Sequence, residues 1–282
     1  MEHSLSLSYG KDSLACLEAC KLLGYPIDRV IHAEVWATDT IPADLPPMVE
    51  FKAKADRIIK ERYGLTVEHV AATLGSKCNL SAHCEKLTYE KLFYKVPKNR
   101  KDPIYEGKPT GFPILRRPWC NSKLKVNILT KLAAQGADTN IVQYLGIAAD
   151  EPERIERHKD KPGIVLPLVD IGWNEAYCRQ WCEENDLLSP IYTYAARGGC
   201  WFCQNQSINE LRLLRKEYPE MWALLLKWDW DSPTKFHFDG RTVHEFDLRF
   251  YAEDLGLVPT DRRFRWNMLD NPDFYKEDCE DE

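Results

Sequence analysis

The sequence predicts an α/β protein: an open, mostly parallel sheet with helices on both faces, followed by a small, mainly helical C-terminal appendage. Three observations predict it. Short runs rich in Val and Ile alternate with longer runs of helical period, the pattern of strands joined by crossover helices. The chain begins with an apolar strand that turns through Ser8-Tyr9-Gly10-Lys11 into an apolar helical run. Its 282 residues, 44% hydrophobic and 29% charged, suffice to bury a substantial core.

In chain order, the first strand is expected to end at Ser8, and Asp12 and Ser13 stand before a helix with apolar positions Leu14, Leu17, Cys20 and Leu23. A strand over residues 29–38 closes at Asp39-Thr40, beside the first loop if the two strands are parallel neighbours. Open α/β sheets place ligands there, so Asp39 or Thr40 is a candidate contact for ribose or adenine, or else a cap for the next helix. A helix over 47–63 and a strand over 65–71 complete a second α/β turn. Residues 75–118, whose second half is dense in Lys, Pro and Gly, read as an insertion or active-site lid. Cys78, His83 and Cys84 within it are zinc-ligating types lacking a fourth ligand close by. A helix over 122–134 capped by Ser122, a strand over 140–145, a short strand over 165–168 and an amphipathic helix over 174–185 follow. Helices over 207–218 and 220–228 lead to aromatic and charged residues without clean periodicity, ending in an acidic tail. This gives a nucleotide-binding domain over 1–205 and an appendage over 206–282.

The net charge of −6 argues against a surface that coats itself uniformly with nucleic acid. Local basic clusters are present: Lys95, Lys98, Arg100 and Lys101; Arg116, Arg117, Lys123 and Lys125; Arg262, Arg263 and Arg265. The middle cluster brackets Trp119-Cys120 and is the candidate contact for phosphates of tRNA or DNA. No run approaches the length of a membrane span, and the first residues lead straight into a strand, so a cytoplasmic protein without a membrane partner is expected. Ten cysteines are too sparse for a disulfide scaffold. Cys16 with Cys20, and Cys178 with Cys182, fall on helical faces as packing thiols. Cys279 lies in the acidic tail, leaving Cys78, Cys84, Cys120, Cys200 and Cys203 for chemistry.

A strand, a glycine-containing loop and a helix N-terminus together offer backbone N–H groups and a favourable dipole to an anion. The Walker spacing is absent. The string Ser8-Tyr9-Gly10-Lys11-Asp12-Ser13 instead resembles the S-G-G-x-D-S loop of the PP-loop ATP pyrophosphatases and phosphoadenosine phosphosulfate reductases, with Tyr9 at the first glycine. The resemblance implies an adenine nucleotide alpha hydrolase-like fold and a loop that holds the phosphates of ATP, with Mg²⁺, or of an adenylyl sulfonucleotide. A tyrosine makes a left-handed backbone costly there, so the loop either adopts an allowed conformation or carries strain. The segment from Gly146 to Arg154 is similar to a strand-end motif of the same family, which adds Glu151 and Arg154 as polar site residues. Ala148 stands where many relatives carry an arginine.

The thiolates of Cys200-Trp201-Phe202-Cys203 can converge on one metal or act as a redox dithiol. Iron–sulfur members of the family pair a C-x-x-C with an upstream cysteine pair, and Trp119-Cys120 falls at that place. The resemblance thus implies a [4Fe-4S] cluster on Cys120, Cys200 and Cys203 with one iron open, zinc being the alternative; Cys120 could also be an unligated nucleophile beside Arg117 and Lys123. The function implied is ATP-dependent adenylation of an acceptor coupled to sulfur transfer. Lys11, Asp12 and Cys120 are its catalytic candidates, and a sulfur donor or reductant protein is a partner. The alternatives are reduction of an adenylyl sulfonucleotide through Cys279, or a nucleotide-binding sensor without turnover.

Overall fold

The computed structural model describes residues 1–74, 85–98, 102–113, 118–129, 141–193, 195 and 198–270. Strands β1 (Glu2–Ser6), β2 (Arg29–Glu34), β3 (Val67–Ala71), β4 (Ile141–Tyr144) and β5 (Ile164–Val165) form one sheet in the order β3-β2-β1-β4-β5, with every pairing parallel. The helices are α1 (Lys11–Leu23), α2 (Pro46–Tyr63), α3 (Tyr89–Phe93), α4 (Trp119–Asn121), α5 (Pro152–Glu156), α6 (Pro167–Asp170), α7 (Glu175–Glu184), α8 (Ile208–Glu217), α9 (Pro219–Asp231) and α10 (Val243–Asp254). This is the open α/β sheet with helices on both faces and a helical C-terminal extension.

Side chains alternate across a strand, and β2 shows both faces in use. Val30 joins the core of β1, α1, α2 and α7 through Leu5, Leu14, Leu17, Ala55 and Ile59. Its neighbour Ile31 points the other way and packs with Val70 against Ile128 and Leu129. Cys16, Cys20, Cys178 and Cys182 are fully buried in the first of these cores, as packing thiols.

The chain divides into two compact units, Met1–Leu92 with Arg117–Phe202, and Phe93–Arg116 with Cys203–Glu282. The first holds the sheet. The second has an aromatic core in which Phe112 stacks edge-on against Phe93 and Phe236, at 5.3 and 5.0 Å between ring centroids. Its helix α10 arises where sequence periodicity is poor. Arg249 and Glu253 are both buried on it as an ion pair, with Arg212 on the other side of the same carboxylate, so charged residues occupy core positions and blur the apolar stripe. The start of α10 carries a Thr242–Glu245 capping box, a signal that the sequence displays.

Boundaries shift for local reasons. Pro167, expected in a strand, begins α6, where its fixed φ and missing N–H suit the first helical turn. β2 stops at Glu34 because the next residues bond back locally, Ala43 N–H to the Val35 carbonyl and Ala37 N–H to the Ile41 carbonyl. After α4 the helix continues as a π-helical stretch, Ser122–Val126. Residues 75–84, with Cys78, His83 and Cys84, lie outside the described residues, as do Arg100, Lys101, Arg116, Arg117 and Cys279. Among the described residues no helix is long and apolar enough to cross a membrane.

Gly146 fixes the approach of the β4 end to the start of α1. A Cβ added there would lie 2.7 Å from the Asp12 carbonyl oxygen, so backbone would have to move. Gly146→Ala is expected to destabilise the fold by about 1–3 kcal/mol in urea unfolding. Gly198→Ala, with nothing within 4 Å, is the control and should change stability by under about 0.5 kcal/mol. Equal effects of the two would contradict this close approach.

Candidate functional site

In a sheet of this order the chain leaves β1 toward β2 on one side and pairs it with β4 on the other, and ligands of such folds bind in the crevice beyond the carboxyl ends at that reversal. A cavity of about 330 Å³ lies there in the first unit. Residues 6–10, Asp12 and Ser13 line it, together with His32, Ala33, Asp44, Lys52, Lys125, Gly146, Arg154, Tyr192 and Cys200.

The loop takes its form from Tyr9. Its φ is +58°, a left-handed conformation costing a non-glycine residue about 1–2 kcal/mol. The side chain is completely buried, and its hydroxyl donates to Asp56 and lies 3.1 Å from His69 Nε2. The strain foreseen for a tyrosine at a glycine position is present and is held by these buried bonds. Asp12 and Ser13 fall in the first turn of α1 instead of before it, and Gly10 is the N-cap with no side-chain cap. Ser13 Oγ accepts from Ser8 N–H at 3.1 Å and donates to the Gly10 carbonyl at 3.0 Å, while Lys11 N–H donates to the Tyr192 hydroxyl at 3.1 Å. Hydroxyl oxygens thus occupy acceptor positions around the loop.

Two histidines behind this loop are set in opposite states. His69 bonds Asp56 at 2.9 Å and Glu34 at 3.0 Å; these two partners raise it from 6.5 to about 9. Glu34, bonded to that imidazolium, falls to about 2. His32 is held down at about 4, first by burial and then by the charge of Lys52. Its Nδ1 faces the Leu7 carbonyl at 2.8 Å, which can only accept, so Nδ1 carries the proton and Nε2 accepts from Lys52 Nζ at 2.8 Å.

Lys11 does not line the cavity. Its ammonium bonds Asp12 at 2.9 Å and lies 3.4 Å from Glu175. Burial alone would lower Lys11, but Asp12 and Glu175 lift it above its usual value; burial, together with Glu175 and Glu151, lifts Asp12 against the pull of Lys11. Arg154 lines the cavity and bonds Glu151 through Nη1 at 2.6 Å, and Glu151 also accepts from Ala148 N–H. Asp39 lies outside the cavity wall, accepting from Lys91 at 2.6 Å.

The expected [4Fe-4S] cluster, and thiolate-bound zinc with it, is corrected here. Among the described residues, the group of metal-ligating side chains whose ligand atoms all lie within 4.8 Å of one another is Asp12, Glu151 and Glu175, and no cysteine sulfur belongs to it. An all-oxygen set suits a hard cation such as Mg²⁺ and not iron–sulfur. The C-x-x-C aromatics serve packing instead: Trp201 is fully buried with Nε1 donating to the Pro42 carbonyl, and Phe202 packs on Tyr89 at 4.2 Å. Cys120 is the middle residue of α4, and Cys200 borders the cavity.

His32, Asp44, Lys52 and Tyr192 were not singled out from sequence. Lys52 had a readable signal, since it falls on the buried stripe of α2 with Met48, Ala55 and Ile59. No protein-family model matches this chain, and neither a curated protein nor a solved structure matches it. What stands is an open, mostly parallel α/β sheet of Rossmann-like form, compatible with nucleotide binding.

The histidines make stability depend on pH in opposite directions. The raised His69 contributes stability fully present below pH 6.5 and lost as pH rises through 9; the depressed His32 lets acid favour the unfolded chain as pH falls from 6.5 through 4. Urea unfolding across this range should show His69→Gln flattening the alkaline fall and His32→Gln flattening the acid one. Parent-like slopes in both variants would remove these assignments.

Proposed function

We propose that this chain binds ATP with its phosphates on the Ser8–Ser13 loop and activates an acceptor oxygen as its adenylate. A sulfur nucleophile from a donor protein then displaces AMP. The observation that carries this reading is the loop itself: an N-terminus of a 13-residue helix without a side-chain cap, opening into the cavity at the strand-order reversal. Lys125 and Arg154 border the same cavity and suit a polyanion.

In the first step the acceptor oxygen attacks the α-phosphorus, the bond from that phosphorus to the bridging oxygen breaks, and pyrophosphate leaves with the electron pair. Negative charge grows on the leaving group, where the α1 N–H groups and the spare donors of Arg154 stabilise it. Asp12 lines the cavity with its pKa raised, and takes the proton from the acceptor. In the second step hydrosulfide delivered by the donor protein bonds through sulfur to the acceptor carbon as the carbon–oxygen bond breaks; AMP leaves with that electron pair and the sulfur proton passes to solvent, with no change of oxidation state. Lys11 orients Asp12 through their hydrogen bonds. The Lys123 and Lys125 segment is available to a nucleic-acid acceptor, through backbone phosphates.

Incubation with α-labelled ATP and a panel of acceptors is expected to release AMP and pyrophosphate, with Arg154→Met lowering kcat/KM on the order of 100-fold. ATP left intact across a broad acceptor panel would sink the proposal.

A further inference from the structure

Beside the phosphate loop, the cavity carries a polar arrangement that the adenylation chemistry does not use. Lys52 comes from α2, Asp44 from the segment preceding it and His32 from β2. All three line the cavity, and Lys52 is buried to within 9% of full. The Lys52 ammonium donates to Asp44 Oδ2 and to His32 Nε2, and it lies 5.4 Å from the centre of the Tyr9 ring.

The charge balance decides what such a group can recognise. His32 is neutral, because its proton sits on Nδ1 against the Leu7 carbonyl and its Nε2 is an acceptor. Lys52 and Asp44 cancel. The set therefore has no net charge with which to hold a phosphate. A lysine ammonium has three N–H donors and a carboxylate two oxygens. Among the described residues, two of the three donors and one of the two oxygens are used. One N–H of Lys52 and Oδ1 of Asp44 remain, on two cavity-lining side chains joined by a hydrogen bond: one donor and one acceptor. A site built to hydrogen-bond such a group discriminates strongly, because a ligand lacking it leaves buried polar atoms unpaired.

We propose that Lys52 and Asp44, oriented by His32, form a specificity pair that reads a neutral donor–acceptor group on the ligand, a ribose hydroxyl or a nucleobase edge, and not a phosphate. The inference rests on the nucleotide reading above and names the part of the ligand that this pair recognises.

Calorimetric titration of the full chain with ATP, 2′-deoxy-ATP, GTP and inorganic tripolyphosphate tests it, since tripolyphosphate can occupy the phosphate loop but offers this pair nothing. Lys52→Met is expected to weaken ATP about tenfold while changing tripolyphosphate by less than about twofold. Asp44→Asn, which keeps the side-chain volume, should follow the same pattern. Loss of discrimination between ATP and 2′-deoxy-ATP in Lys52→Met assigns the pair to the ribose; loss between ATP and GTP assigns it to the base. ATP and tripolyphosphate weakened equally in both variants, or unchanged in both, overturns the pair as a specificity device while leaving the nucleotide site standing. A parent chain that binds tripolyphosphate but not ATP also overturns it. Absence of binding by every ligand removes the nucleotide reading and this inference together.

Discussion

The candidate site depends on one buried side chain. Tyr9 stands at the hinge between β1 and α1 in a backbone conformation that an L-residue adopts at a cost, and only the rest of its side chain justifies it. The ring fills the core beneath the cavity, and the hydroxyl bonds to Asp56 on α2 beside His69 on β3. With that phenol anchored, Ser8 and Gly10 are carried to the cavity side, Ser13 closes the loop on itself, and α1 starts with its N-terminus toward the crevice. A glycine would reach the same φ without strain but would bring no anchor. The tyrosine exchanges backbone ease for a side chain that ties the loop to two other elements.

The electrostatics behind the loop follow from what each imidazole faces. His69 has a carboxylate at each nitrogen, and both favour its charged form. His32, with its ring centre 5.4 Å away, has a carbonyl at one nitrogen and an ammonium at the other, and that combination admits only the neutral ring. Two identical side chains on adjacent strands thus serve as a cation and as a neutral acceptor. Three carboxylates, Asp12, Glu151 and Glu175, meet at the β4 side, and two cations of the chain pair with them, Lys11 with Asp12 and Glu175 and Arg154 with Glu151.

The sheet was legible because short segments with apolar pairs, such as Val30-Ile31 in β2 and Ile141-Val142 in β4, alternate with runs of helical period, and because Asn174 and Ser207 announce helix starts that the structure has. The turn at residues 8–13 was legible as the connection from the first strand into a helix, and the structure has that turn lining the cavity. The metal was misread for a physical reason: C-x-x-C spacing reports that two sulfurs can approach each other, and says nothing about a third ligand that only tertiary structure brings close. The intervening Trp201 and Phe202 are core anchors, a demand that gives the motif a bulky, sheltered look without any cluster. Conversely, the Lys52 and His32 wall was hidden by its own packing. A lysine on an apolar stripe and a histidine within a strand draw attention only when the α2 and β2 faces are known to meet at the cavity.

The range of the Tyr9 contacts bears on how the site comes into being. Asp56 and His69 follow Tyr9 by 47 and 60 residues, and His69 belongs to the strand at the sheet's edge. During synthesis the loop precedes the partners that stabilise its left-handed turn, and it lacks them until the third strand has been synthesised and paired. Until then the loop is free to take less strained shapes. The strained loop geometry is therefore a collective property of β1, α2 and β3 together, completed only when β3 is in place.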